Sequence, residues 1–132
     1  MAQRILIVDD EAELREILST ALVRAGYEFE TAAGGREAVG AYLESLDEDN
    51  PYSAIILDIM MPKGDGLQTI EAIRKEEQRR GIQLGHGVYI VMLTALKNPW
   101  VEAFNKGCDD YLLKPYKINE LLEKLEKKLN KN

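Results

Sequence analysis

The sequence has little cysteine, no apolar stretch of membrane length and no targeting signal. Cys108 is its single cysteine, so no disulfide can form within the chain, and such sparse use fits a reducing compartment. No apolar run approaches the ~20 residues that a membrane-spanning helix needs, and the N-terminus shows no signal-peptide pattern. We therefore expect a cytoplasmic protein that does not associate with membranes.

Positively charged residues are also fewer than negatively charged ones. The 132 residues include 17 Lys and Arg against 23 Asp and Glu, which gives a net charge of −6. Because a nucleic-acid-binding surface needs a basic footprint to contact phosphates, this balance argues against direct binding of nucleic acid.

Short apolar runs alternate along the chain with amphipathic helical patterns, and the length favours a single domain. Strands are predicted at 4–9, 27–32, 54–58, 88–94 and 111–113, and helices at 14–25, 36–46, 67–80, 98–107 and 118–129. Alternation of this kind predicts a parallel sheet with helices on both faces. The fold class is therefore α/β, a doubly wound five-stranded (βα)5 domain, which we expect to occupy residues 1–132 with no output domain present.

Polar side chains stand at the carboxyl ends of most of these strands. The first strand leads into Asp9 and Asp10, the third ends in Asp58, the fourth ends in Thr94, and Lys114 follows the fifth. Taken alone, Asp10 could cap a helix, Thr94 could be an ordinary strand residue and Lys114 a solvated lysine. Ligands of open parallel sheets bind beyond this edge, however, so a shared site explains the joint placement better.

Such a set of groups suits phosphoryl chemistry. Three carboxylates at close range repel one another, and a hard divalent cation such as Mg²⁺, which prefers oxygen ligands and often pairs with phosphate, relieves the repulsion. A lysine ammonium and a threonine hydroxyl can contact phosphoryl oxygens. Asp58 is then a nucleophile that forms an aspartyl phosphate, carried by the rigid apolar strand that precedes it.

The sequence resembles the receiver domains of two-component response regulators over nearly its whole length. The resemblance rests on four segments: ILIVDDE at 5–11, LDIMMPKGDG at 57–66, MLTA at 92–95 and GCDDYLLKPY at 107–116. It implies a flavodoxin-like strand order of 2-1-3-4-5. It also implies a phosphorylation-dependent switch that is not an enzyme, beyond catalysing its own phosphorylation and dephosphorylation.

For the metal site, the resemblance assigns roles to four residues. Asp9 and Asp10 form the acidic pair at Mg²⁺. Asp58 is both the phosphoacceptor and a metal ligand, and the main-chain carbonyl of Met60 completes the protein ligands.

For the phosphoryl group and the switch, the resemblance assigns three more. Thr94 and Lys114 contact the phosphoryl group, and Tyr111 is the aromatic residue whose orientation follows the threonine. The peptide bond between Lys114 and Pro115 is usually cis in the family. Phosphorylation is expected to repack the surface formed by the fourth helix, the fifth strand and the fifth helix.

The resemblance further implies a phosphodonor and a target. The donor is a sensor histidine kinase, a phosphotransfer protein or a small phosphodonor. The target is a downstream protein or an output domain missing from this sequence. The domain is expected to be a monomer, or a weak dimer that forms on phosphorylation.

Three other interpretations remain open. A haloacid dehalogenase-type phosphatase also uses a strand-end aspartate nucleophile, but it places a second aspartate two residues on, where this chain has Met60. A pseudo-receiver would bind partners without being phosphorylated. Against this interpretation, the sequence retains every side chain that the family uses for phosphorylation. A flavodoxin-like cofactor binder would need a phosphate-cradling loop after the first strand, where Asp9 and Asp10 stand instead.

The lifetime of the phosphorylated state depends on two further positions. In the family, the residues two after the acceptor and two after the threonine flank the approach of the hydrolytic water, and here they are Met60 and Leu96. Neither side chain can position a water by strong hydrogen bonding, and such assistance typically raises the rate of a step of this kind ~10²–10⁴-fold.

We therefore expect slow self-dephosphorylation. Met60→Asn or Met60→Glu should accelerate it severalfold, as measured by decay curves of purified phosphoprotein with Mg²⁺. A wild-type half-life of a few seconds, or unchanged decay in both variants, would contradict this expectation.

Overall fold

The computed structural model describes residues 2–58, 66–95 and 106–130. Its strands are β1 (Arg4–Val8), β2 (Glu28–Ala32), β3 (Tyr52–Asp58), β4 (Tyr89–Thr94) and β5 (Asp110–Leu113). Its helices are α1 (Ala12–Arg24), α2 (Gly35–Leu46), α3 (Gly66–Arg79) and α4 (Ile118–Leu129). The predicted helix at 98–107 falls almost entirely outside these ranges, so α4 corresponds to the fifth helix expected from the sequence.

The five strands form one parallel sheet in the order β2-β1-β3-β4-β5, which confirms the flavodoxin-like arrangement. The register brings the strand ends into line. Val8 pairs with Leu57, Asp58 pairs with Leu93, and Thr94 pairs with Leu113. The carboxyl ends of β1, β3, β4 and β5 therefore finish side by side at one edge of the sheet.

Side chains that alternate along each strand pack into two core layers, one on each face of the sheet. The layer against α2 and α3 includes Leu6, Ala38, Ile55, Ile70, Ile73 and Ile90. The layer against α1 and α4 includes Ile7, Leu18, Leu22, Ile56, Val91, Leu121 and Leu125. Because helices cover both faces, the central strands are continuous apolar runs. Within the described ranges, no helix combines the length and apolarity that crossing a bilayer requires.

The strand β2 lies at one edge of the sheet. Its first four residues are exposed and Ala32 alone is buried. Glu28 places an exposed charge on this edge, which discourages pairing with a strand of another molecule.

Glu77 is a buried carboxylate at the end of the sheet opposite to Asp58. Its side chain accepts hydrogen bonds from Tyr42 Oη at 2.6 Å, Val88 N at 2.8 Å and Arg74 Nη1 at 2.7 Å. It therefore joins α2 and α3 to the start of β4. Gly87 makes room for this carboxylate, since a Cβ at that position would lie 2.1 Å from Glu77 Oε1.

Gly87→Ala should lower the free energy of unfolding by about 1–3 kcal/mol, because the new methyl group displaces a carboxylate that three hydrogen bonds hold in place. Gly40→Ala is the matched control. A Cβ there meets nothing within 4 Å, and alanine is favoured over glycine inside a helix by ~0.5–1 kcal/mol. Urea unfolding of both variants measures the difference. Stability of Gly87→Ala equal to that of the wild type would mean that Glu77 moves aside without cost.

Candidate functional site

Two buried carboxylates stand side by side at the carboxyl edge of the sheet. Asp9 directly follows β1 and is 2% exposed, and Asp58 is the last residue of β3 and is 3% exposed. β1 and β3 are neighbours, paired through Val8 and Leu57 immediately before these residues. The residues directly before them, Val8 and Leu57, are buried, so the strands hold both carboxylates in fixed positions.

Lys114 pairs directly with Asp58. Its Nζ lies 2.7 Å from Asp58 Oδ2, and its side chain is 25% exposed, so the site opens to solvent on the lysine side. The lysine follows β5, and its backbone N–H donates to the carbonyl oxygen of Thr94 at 2.7 Å. The peptide bond between Lys114 and Pro115 is cis, as the family resemblance implied.

The environment of Asp9 disfavours its negative charge. Burial, opposed by a hydrogen bond from the backbone N–H of Glu11 at 2.9 Å and reinforced by the charge of Asp58, raises the pKa of Asp9 to about 6. Lys114 acts in the opposite direction but more weakly. A cation bound beside Asp9 would stabilise its ionised form, because an opposite charge at short range offsets the burial.

An acidic cluster of the right chemistry for such a cation lies at the turn into α1. Asp9, Asp10 and Glu11 each offer a carboxylate oxygen, and these oxygens lie within 4.8 Å of one another. Asp10 and Glu11 are exposed. Hard cations such as Mg²⁺ prefer oxygen ligands of this kind and retain several waters, so the donor set fits Mg²⁺. Glu11 was not predicted as part of this set, although it directly follows the acidic pair in the sequence.

Thr94 closes β4 at the same edge and is fully buried. Tyr111 lies on β5 opposite Met92, where it is half-buried and packs against the core layer that contains Leu6. The two predicted switch residues therefore lie on adjacent strands, with Tyr111 two residues further from the carboxyl edge than the partner of Thr94, Leu113.

Tyr116 also lies near this site, although no role was predicted for it beyond its place in the GCDDYLLKPY segment. Burial, together with the charges of Asp9 and Asp58, raises the pKa of Tyr116 to about 12. Its phenol therefore stays neutral at physiological pH. Its half-buried ring packs against the core layer between the sheet and α4.

Most of the predicted site residues thus meet at one edge of the sheet. The residues at that edge are Asp9, Asp10, Asp58, Thr94 and Lys114. Tyr111 lies two positions back along the last strand. Met60 and Leu96 are outside the described residues. The described groups place a buried carboxylate against an ammonium group, next to carboxylate oxygens of the kind that divalent cations prefer.

Comparison with known proteins agrees with this geometry. The family model described as the response regulator receiver domain matches residues 5–126. The transcriptional regulatory protein SrrA of Staphylococcus aureus is 36% identical to this chain over 124 residues. That match covers 92% of this chain but 46% of SrrA, so the chain spans less than half the length of this curated relative.

Solved structures give the same result. The chemotaxis protein CheY4 of Vibrio cholerae matches with a TM-score of 0.79 and 32% identity, over 96% of this chain and 98% of that protein. The response regulator TrrA of Thermotoga maritima, in complex with Mg²⁺ and BeF, matches with a TM-score of 0.77 and 34% identity over 95% and 97%. The receiver domain of Ssk1 from Saccharomyces cerevisiae, co-crystallised with the phosphotransfer protein Ypd1, matches with a TM-score of 0.82 and 28% identity over 96% and 88%. The chain belongs to the response regulator receiver domain family.

Proposed function

We propose that Asp58 accepts a phosphoryl group, with Mg²⁺ held by Asp9, Asp10, Asp58 and the main-chain carbonyl of Met60. The observation that carries the proposal is the buried carboxylate of Asp58, paired with Lys114 at 2.7 Å and flanked by Asp9. Burial deprives Asp58 of water, and Lys114 keeps a compensating charge within reach. The chain is thus a regulatory phosphoacceptor domain of two-component signalling.

In the transfer step, an oxygen of the Asp58 carboxylate attacks the phosphorus of the donor. The bond between phosphorus and the leaving group breaks, and the leaving group, a histidine ring nitrogen or acetate, keeps the electron pair. Lys114 supplies positive charge to the phosphoryl oxygens, as preorganised cations do in such sites. Mg²⁺ would supply the remaining neutralisation of the charge on the phosphoryl group and the carboxylates.

The donor in the cell is a sensor histidine kinase or a phosphotransfer protein. The match to the receiver domain of Ssk1, which was crystallised with Ypd1, supports a partner of this class. The receiver would pass the signal to a downstream protein or to an output domain, in the cytoplasm, as a monomer or a weak phosphorylation-dependent dimer. The greater length of SrrA, a transcriptional regulator, is compatible with an output domain.

Incubation with acetyl phosphate and Mg²⁺ should add one phosphoryl group to the wild-type protein and none to Asp58→Asn, because the amide is a far weaker nucleophile. Intact-mass spectrometry measures the addition. Asp49→Asn is the matched control, since Asp49 is an exposed residue of the loop before β3. Asp49→Asn should take up as much phosphoryl group as the wild type. Chelation of Mg²⁺ should suppress phosphorylation of the wild type and of Asp49→Asn. If Asp58→Asn is phosphorylated as fully as the wild type, Asp58 is not the phosphoacceptor.

The switch is proposed to run from the phosphoryl group through Thr94 to Tyr111. A phosphoryl oxygen draws in the Thr94 hydroxyl, and Tyr111 turns further into the protein, which repacks the surface of the fourth predicted helix, β5 and α4. Each state is stabilised by its own contacts, so the change is a shift in a two-state equilibrium.

Addition of beryllofluoride and Mg²⁺ should therefore shift the ring resonances of Tyr111 in NMR spectra. Thr94→Val, which keeps the branched shape but lacks the hydroxyl, should bind beryllofluoride and show a much smaller shift at Tyr111. If Tyr111 does not respond in the wild type, or responds equally in both proteins, the route through Thr94 is wrong.

A further inference from the structure

Three side-chain contacts join α3 to the short segment that enters β5. Lys106 Nζ lies 3.0 Å from Glu71 Oε2, Arg74 Nε donates to the carbonyl oxygen of Gly107 at 2.9 Å, and Arg74 Nη2 donates to Asp109 Oδ2 at 2.7 Å. We call this group of five residues the clasp. Its partners are 33 to 35 residues apart along the chain, so the clasp links two separate parts of the fold.

Arg74 is held in place on its other side as well. Its Nη1 donates to the buried carboxylate of Glu77 at 2.7 Å, and its side chain is only 16% exposed. All three guanidinium nitrogens therefore have an acceptor. Because the guanidinium is planar and its donors point in fixed directions, this arrangement sets the position of Gly107 and Asp109 relative to α3.

Gly107 is required for the clasp to close. Its φ of +112° lies in a region that residues with a side chain rarely adopt, and a Cβ there would lie 2.5 Å from Arg74 Cγ. The backbone at this point therefore passes directly against the arginine side chain.

Asp109 extends the effect of the clasp to the last two strands. Its Oδ2 also accepts the backbone N–H of Ile90 at 2.8 Å, and its own N–H donates to the Ile90 carbonyl at 3.1 Å. The clasp thus fastens the start of β5 to β4. β5 then carries Tyr111 and leads into Lys114, which pairs with Asp58.

We propose that the clasp is a conformational restraint that holds the start of β5 in the arrangement seen here, and that it thereby opposes the repacking of β5 that the proposed switch requires. This inference rests on the proposed function. The segment held by the clasp lies between the fourth predicted helix and β5, both of which belong to the surface that the switch repacks. Contacts made in one state of a two-state equilibrium stabilise that state, and they lower the apparent affinity for a ligand of the other state.

The test combines Glu71→Gln with Asp109→Asn. These changes remove the two ion pairs of the clasp with little change in shape, and the Asn oxygen can still accept the N–H of Ile90. Arg74 remains in place, so the buried carboxylate of Glu77 keeps its partner. The matched control combines Glu76→Gln with Asp47→Asn, which removes the same number of charges from the pairs with Arg79 and Arg80.

The double variant of the clasp should bind beryllofluoride about two- to fivefold more tightly than the wild type in the presence of Mg²⁺, with the control unchanged. Titration followed by tyrosine NMR shifts gives the affinity, and thermal unfolding verifies that each variant is folded. The inference is wrong if the clasp variant binds beryllofluoride no more tightly than the wild type, or if the control variant gains as much affinity. Either result leaves the proposed function standing. A wild-type protein that neither binds beryllofluoride nor takes a phosphoryl group overturns the proposed function and this inference with it.

Discussion

The ion pair between Asp58 and Lys114 is the contact on which the site depends. Burying a lone carboxylate is costly, and Asp58 is nearly inaccessible to solvent at the tip of β3. Lys114 offsets this cost from beyond β5, so the pair links the central strand to the edge strand that carries Tyr111. Asp9 adds a second buried carboxylate. Burial, together with the charge of Asp58, raises its pKa, and a divalent cation would offset both effects.

The two ends of the sheet have different chemistry. At the carboxyl end, Asp9, Asp58 and Lys114 bring their charges together in the proposed phosphoryl site. At the opposite end, Glu77 and Arg74 use their charges to fasten α3 to the beginnings of β4 and β5. β5 spans the distance between the two ends in four residues. β5 is held at its start through Asp109 and is followed at its end by Lys114. A change in the partner of Lys114 would therefore act on a short strand whose other end is held in place.

Periodicity and strand-end chemistry predicted the five strands, each to within two residues of its observed bounds, and the acidic edge, because these depend on residues close together in the sequence. The order of the strands was implied by the family resemblance instead. Contacts between distant residues were not predictable in this way. Nothing in the pattern joins Arg74 to Gly107 or Asp109. Charged side chains usually lie on the exposed face of a helix, yet Glu77 is buried. The spacing from Ile70 and Ile73 places it on the apolar face of the helix, and this spacing was the available signal.

Chemical trapping of the phosphorylated protein determines whether Asp58 carries the phosphoryl group. Borohydride reduces an acyl phosphate to an alcohol, so a phosphorylated aspartate becomes homoserine. After treatment with acetyl phosphate and Mg²⁺ followed by borohydride, peptide mass spectrometry should find homoserine at position 58 alone. Homoserine at position 9 or 10, or phosphate recovered on His86, the single histidine of the chain, with position 58 unchanged, would show that Asp58 is not the phosphoacceptor.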